Sequence, residues 1–259
     1  LPRFSANITF LFRQLAITER FQAAREAGFQ AVEILMPEDA SIDELAAAAK
    51  KSGVQVVLCN APCGDFFEGG AGLSAVPDRE EEFRQAILDA RAMATALQCP
   101  TVHIGPSRVP PGFARQDCMD VYRKNVRWAA QAMADSGITA TIEALNSEDN
   151  PGIFLNSFEQ ALQVLDQLDE PSLKLQFDVY HVARSGGDYL SLLAAHVHRI
   201  AHLQFADVPG RGEPGSGRLD FAALFTQLDS LGYSGWAGAE YHPTTTTEES
   251  LDWFRAFRH

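Results

Sequence analysis

The chain has 259 residues and a formal net charge of −13. Such a charge repels nucleic acid and anionic membrane surfaces, but a small anionic substrate is not excluded, because a site can be locally positive. At 46% hydrophobic and 21% charged residues the composition is that of a globular protein long enough to bury a core without covalent staples.

The first segment, LPRFSANITFLF, lacks the cationic start and longer apolar run of a signal peptide. It is read as a strand over 4–11. No later apolar run approaches the roughly 20 residues that span a bilayer, so a cytoplasmic location with no membrane partner is expected. Apolar, β-prone runs then recur over 29–36, 54–60, 101–105, 139–145, 173–179, 200–206 and 236–241, each followed by a segment of helical pattern. Four helix–strand junctions share one form: EAGFQAVEIL (26–35), KSGVQVVLCN (51–60), DSGITATIEAL (135–145) and SLGYSGWAGAEY (230–241). Each places Gly where a helix needs a left-handed cap. Ser41 with Glu44, Ser157 with Gln160 and Thr246 with Glu249 have the spacing of helix-starting capping boxes. Strict β–α alternation implies a parallel sheet, and eight units in about 250 residues imply a single (β/α)₈ TIM barrel spanning 1–259. A doubly wound open sheet is the competitor. The absence of a Gly-rich phosphate motif after the first strand counts against it. Cys59, Cys63, Cys99 and Cys118 lack the spacing of a common zinc site and read as reduced thiols.

Each strand candidate carries a polar residue, usually late: Asn7, Glu33, Asn60, His103, Glu143, Asp178, Gln204 and Glu240. Carboxylates facing an apolar helix layer would be costly, so these side chains are expected to point to the top of the barrel axis, where barrel active sites sit. Glu143, Asp178, Gln204 and Glu240 would then converge. Three carboxylates in one place repel unless a cation lies between them. Oxygen donors without thiolate favour Mg²⁺ or Mn²⁺; with imidazole nearby, Co²⁺ and Zn²⁺ stay open.

These residues carry a resemblance. RFSANITFLF (3–12), AGFQAVEIL (27–35), TIEALN (141–146), FDVYH (177–181), HLQFADVPGRGEPGSG (202–217) and GWAGAEYHPTTTTEESL (235–251) resemble the hydroxypyruvate isomerase family, which includes the 2-oxo-tetronate isomerases, within the xylose-isomerase-like barrels. The resemblance implies a divalent metal on Glu143, Asp178, Gln204 and Glu240, with Glu143 and Glu240 as the proton-transfer pair. It implies isomerisation of a short oxo acid, hydroxypyruvate to tartronate semialdehyde or its 2-oxo-tetronate counterpart, through a cis-enediolate. Related sugar epimerases commonly have His at the position of Gln204, and the hydroxypyruvate isomerase branch has Gln. That branch typically reads EYKP after the last strand, whereas this chain reads EYHP, with His242.

Three carboxylates and one divalent ion leave a charge of about −1, so an acidic substrate needs a further cation. His181, Arg211 and His242 are the candidates, with Glu213 expected to orient Arg211 or His181. His103 is read either as lining the site or as a satisfied interior histidine, and His202 as facing inward beside Gln204. Glu33 and Asn60 are expected to tie polar groups together around the pocket. The segment 61–83, with Phe66 and Phe67 amid glycines, is read as a lid that excludes water. A C3 epimerase of a free ketose is the runner-up. A multi-zinc endonuclease would need more His ligands and a basic face, and a non-catalytic sugar-acid binder would not need both Glu143 and Glu240. A homodimer stays open beside a monomer.

Overall fold

The computed structural model describes residues 2–257. Eight strands, β1 (Arg3–Asn7), β2 (Ala31–Ile34), β3 (Gln55–Asn60), β4 (Thr101–His103), β5 (Thr139–Ile142), β6 (Leu173–Asp178), β7 (Ile200–Phe205) and β8 (Trp236–Ala239), pair in sequence order, and β8 returns to β1 to close the barrel. Every pairing is parallel. The connecting helices are α1 (Ile17–Ala27), α2 (Ile42–Ser52), α3 (Glu80–Ala96), α4 (Arg115–Ala134), α5 (Phe158–Leu168), α6 (Val179–Arg184), α7 (Tyr189–His196) and α8 (Phe221–Ser230), with α9 (Asp252–Phe257) after the last strand. No helix among the described residues is long and apolar enough to cross a membrane.

All eight expected strands are present. The capping pattern explains how α1 and α2 stop. Gly28 and Gly53 adopt φ of 107° and 70° and close these helices with backbone N–H bonds to Arg25 and Ala49. The expected strands run too long at their C-terminal ends. Ile8 and Leu11 after β1, and Tyr241 after β8, are fully buried without being strand. The βα loops fold back over the barrel rim, so their apolar residues are covered by tertiary packing that a local pattern cannot separate from a sheet.

Alternation sorts the two faces. Phe4 of β1 and Phe205 of β7 point outward and meet Phe225 of α8 edge-on at 4.9 and 5.3 Å, and Phe177 of β6 meets Phe158 of α5 at 5.0 Å. The inward positions are unusually polar for a barrel core. Ser5, Asn7, Glu33, Thr141, Gln176, His202 and Gln204 are all buried there and joined by hydrogen bonds across the axis. The four cysteines are free and buried.

The segment expected as a lid is held down by side-chain contacts. The Arg108 guanidinium, after β4, lies 3.9 Å above the Phe66 ring and donates to the carbonyls of Phe66, Gly70 and Pro151. Asp65 accepts from Arg79 and from the Gly72 N–H. Phe66 is buried under this clamp, whereas Phe67 is exposed.

Candidate active site

Asp178 ends β6 and also starts α6. Its Oδ1 accepts the Tyr180 N–H at 2.8 Å, which leaves Oδ2 facing the barrel mouth, 3.6 Å from His181 Nε2 and 3.4 Å from Arg211 Nη2. Glu143, one residue past β5, accepts from Gln176 Nε2 at 3.0 Å and lies 3.8 Å from His103 Nε2. Glu240, one residue past β8, receives Arg211 Nη2 at 2.8 Å. Ligating atoms of Glu143, Asp178 and His181 all lie within 4.8 Å of one another. Gln204 extends inward from β7, accepting from Gln176 Nε2 at 2.7 Å and donating to Glu33 at 2.7 Å.

Arg211 comes from the loop between β7 and α8. That loop is built on Asp207, whose buried carboxylate accepts the N–H groups of Val208, Gly215, Gly217 and Leu219. The guanidinium lies over the rings of Tyr180 and Phe10, at 5.0 and 5.4 Å, and bridges Asp178 and Glu240. His242 contacts this loop through its backbone, donating N–H to the Arg211 carbonyl at 2.8 Å, and its ring packs edge-on to Phe10. The expected role of Glu213 is corrected: its carboxylate turns away from Arg211 and His181 and accepts the N–H and hydroxyl of Thr244. It braces one loop against the next.

The tautomer of His181 follows from its neighbours. Its Nδ1 faces the Asn146 backbone N–H at 3.3 Å and the Asn146 amide at 2.7 Å. A backbone N–H can only donate, so Nδ1 accepts. Burial, then the nearby Arg211 charge, hold the ring's pKa well below its usual value, so the ring is neutral and its proton sits on Nε2. The atom nearest Asp178 is therefore a hydrogen-bond donor rather than a metal ligand.

The acids are perturbed the other way. Burial, followed by the charges of Asp178 and Glu240, raises Glu143 well above the ordinary carboxylate range. Burial pushes Glu240 up to about 8 despite Arg211, and Asp178 to about 6. His103 is pushed down to about 4 by burial alone. One of these shifts gives a stability prediction. Glu240 holds its proton up to about 8 in the folded chain, against 4.5 ordinarily. In that window the native state binds more protons than the unfolded state, so stability falls as pH rises. At about pH 7.5 and above, roughly a unit past the ordinary histidine value of 6.5, His103 and His181 are essentially neutral in both states and drop out. With chelator present, the melting temperature is expected to fall from about pH 7.5 to about 8.5 in a thermal scan. A melting temperature that does not fall would mean that Arg211 keeps Glu240 ionised throughout.

The donor set fits a hard divalent cation. Three carboxyl groups share the mouth with one guanidinium, and burial raises all three pKa values, so a cation bound among them would supply the charge that solvent does not. Gln176 and Asn146 were not singled out in the sequence. Gln176 lies two residues before Asp178 on the same face of β6, so strand alternation carried the signal for it. Asn146 carried none, because its part depends on a contact 35 positions away.

Residues 21–257 match the family model described as xylose isomerase-like TIM barrel. The chain is 38% identical over 258 residues to the 2-oxo-tetronate isomerase of Haemophilus influenzae, covering 100% of both chains. It is 36% identical over 256 residues to the hydroxypyruvate isomerase of Escherichia coli, covering 99% of both. A solved structure from Brucella melitensis titled AP endonuclease, family 2, superposes with a TM-score of 0.95 at 38% identity, covering 100% of each chain.

Proposed function

From its membership of the xylose isomerase-like TIM barrel family, and its end-to-end match to isomerases of short oxo acids, we propose that this chain isomerises a short 2-oxo acid with a hydroxyl on the adjacent carbon. For hydroxypyruvate the reaction moves a proton from C3 to C2 and another between the two oxygens, giving tartronate semialdehyde through a cis-enediolate. The observation that carries this reading is the pair Glu143 and Glu240. Their side chains lie at one barrel mouth, Glu143 against Gln176 and Glu240 against Arg211, and burial raises both pKa values above the ordinary carboxylate range, as suits groups that exchange protons.

Glu143, Asp178, Glu240 and the carbonyl oxygen of Gln204 would hold a divalent cation, Mg²⁺ or Mn²⁺. Bound there, it would stabilise the negative charge that develops on the substrate oxygens. Glu143 and Glu240 take and return the carbon-bound proton. His181 donates Nε2–H to a substrate oxygen, its orientation held by Asn146. Arg211 supplies the positive charge for the substrate carboxylate, with His242 at the rim and neutral His103 against Glu143.

Two other readings are weaker. An endonuclease would have to hold DNA against a net charge of −13. A C3 epimerase of a free ketose would leave Arg211 without an anionic partner on the substrate. Arg211→Ala separates the oxo-acid isomerase from the ketose epimerase. It is expected to raise KM for the oxo acid roughly 10- to 100-fold, the worth of a charged hydrogen bond. An unchanged KM would return Arg211 to a purely structural bridge.

The reaction itself is tested by proton NMR in D₂O, with hydroxypyruvate and 2-oxo-tetronate as substrates. Chelator-treated protein, the same protein with Mg²⁺ restored, and an enzyme-free control are compared. Metal-dependent product with deuterium at the new carbon position supports the proposal. No turnover of either acid overturns it.

A further inference from the structure

Below the acids of the mouth lies a second, fully enclosed carboxylate. Glu33 of β2 has no exposed surface and is filled with donors. Its Oε1 accepts from Ser5 Oγ at 2.6 Å and faces His202 Nε2 at 2.8 Å. Its Oε2 accepts from Asn7 Nδ2 at 3.3 Å and Gln204 Nε2 at 2.7 Å. Gly238 makes room for it, since a Cβ there would lie 1.7 Å from Glu33 Oε1. Among the described residues no hydrogen bond joins Glu33 to Glu143, Asp178 or Glu240; it meets the mouth through the amide of Gln204, and its charge also acts on Asp178 and Glu240.

We infer that Glu33 is a positioning residue that fixes which end of the Gln204 amide faces the cation site. Glu33 Oε2 accepts from Gln204 Nε2, so the NH₂ of Gln204 faces Glu33 and its carbonyl oxygen faces away. The far end agrees. Gln176 donates from one NH₂ both to that carbonyl, at 2.7 Å, and to Glu143, at 3.0 Å, while its own oxygen faces Thr141. Two amides thus run head to tail between two carboxylates, and each orientation supports the next. Reversal of Gln204 would set its oxygen against Glu33 and aim an NH₂ group, which cannot ligate a cation, at the mouth.

The inference rests on the divalent-cation reading, and the test keeps the two apart by measuring Mn²⁺ affinity through the loss of the free-ion EPR signal. Glu33→Gln gives Gln204 a partner that can accept or donate, so the amide is free to turn. Mn²⁺ affinity should fall at least about tenfold, the low end for removing a partner that orients a metal ligand. The double variant Glu33→Gln/Gln204→Glu moves the carboxylate one place along the relay. It presents oxygen to the site in either rotation, and Mn²⁺ binding should recover. A folded Glu33→Gln with parental affinity overturns the inference, as does a loss that the double variant does not restore. Should Glu33→Gln not fold, Glu33→Asp decides, because it keeps the charge but draws it back from Gln204; parental Mn²⁺ affinity in that variant overturns the inference. If the parent chain itself binds no Mn²⁺, the cation reading fails first and takes this one with it.

Discussion

Glu240→Gln and Glu143→Gln are each expected to cut turnover of the oxo acid by at least about 10²-fold, the low end for a positioned acid or base. The reason is specific to this mouth. Each Gln is nearly isosteric, so Arg211 at Glu240 and Gln176 at Glu143 lose little packing, but the group that exchanges a proton is gone. Steady-state rates in saturating Mg²⁺, with deuterium exchange followed in parallel, give the measurement. Exchange without net isomerisation in one variant would identify the residue that removes the proton. Near-parental turnover in either would remove that residue from proton transfer.

Gly238→Ala is expected to cost about 3 kcal/mol or more of folding stability, combining overpacking with a disturbed buried carboxylate. The added Cβ would lie 1.7 Å from Glu33 Oε1. Glu33 cannot step aside without leaving Ser5, Asn7, His202 or Gln204 unpaired in the barrel core. The other route is for β8 to move, yet Gly238 lies in register with both Ser5 of β1 and Gln204 of β7. For a chain of this size the loss corresponds to a drop of roughly 6–12 °C in melting temperature. A scan showing a drop of less than about 2 °C would mean that Glu33 has room to move. Ala237 and Ala239, one position to either side, show that the strand itself tolerates a methyl group; the constraint at 238 comes from the opposite side of the core.

The barrel was legible because its signals are local. Strand alternation, helix period and Gly caps each act over a few residues, and together they place Glu143, Asp178, Gln204 and Glu240 at equivalent ends of four consecutive strands. Closure of a parallel barrel brings those ends to one rim, so their convergence follows from topology. The pairings within the site were not legible. Glu213 turns to Thr244 rather than to Arg211, and Arg108 fastens the loop that reads as a lid.

What the sequence by itself determined is the (β/α)₈ architecture and the acidic residues at the barrel mouth, since periodicity and the cost of burying a carboxylate against apolar helices leave few other arrangements. Only the tertiary structure decided how those charges are balanced: Arg211 between Asp178 and Glu240, Asn146 setting the proton on His181, and Glu33 opposite Gly238 beneath Gln204. Hydrogen bonding and ion pairing act through space at about 3 Å. Their partners here are separated by anything from 26 to 171 positions in the chain, a distance at which residue order carries no pairing information.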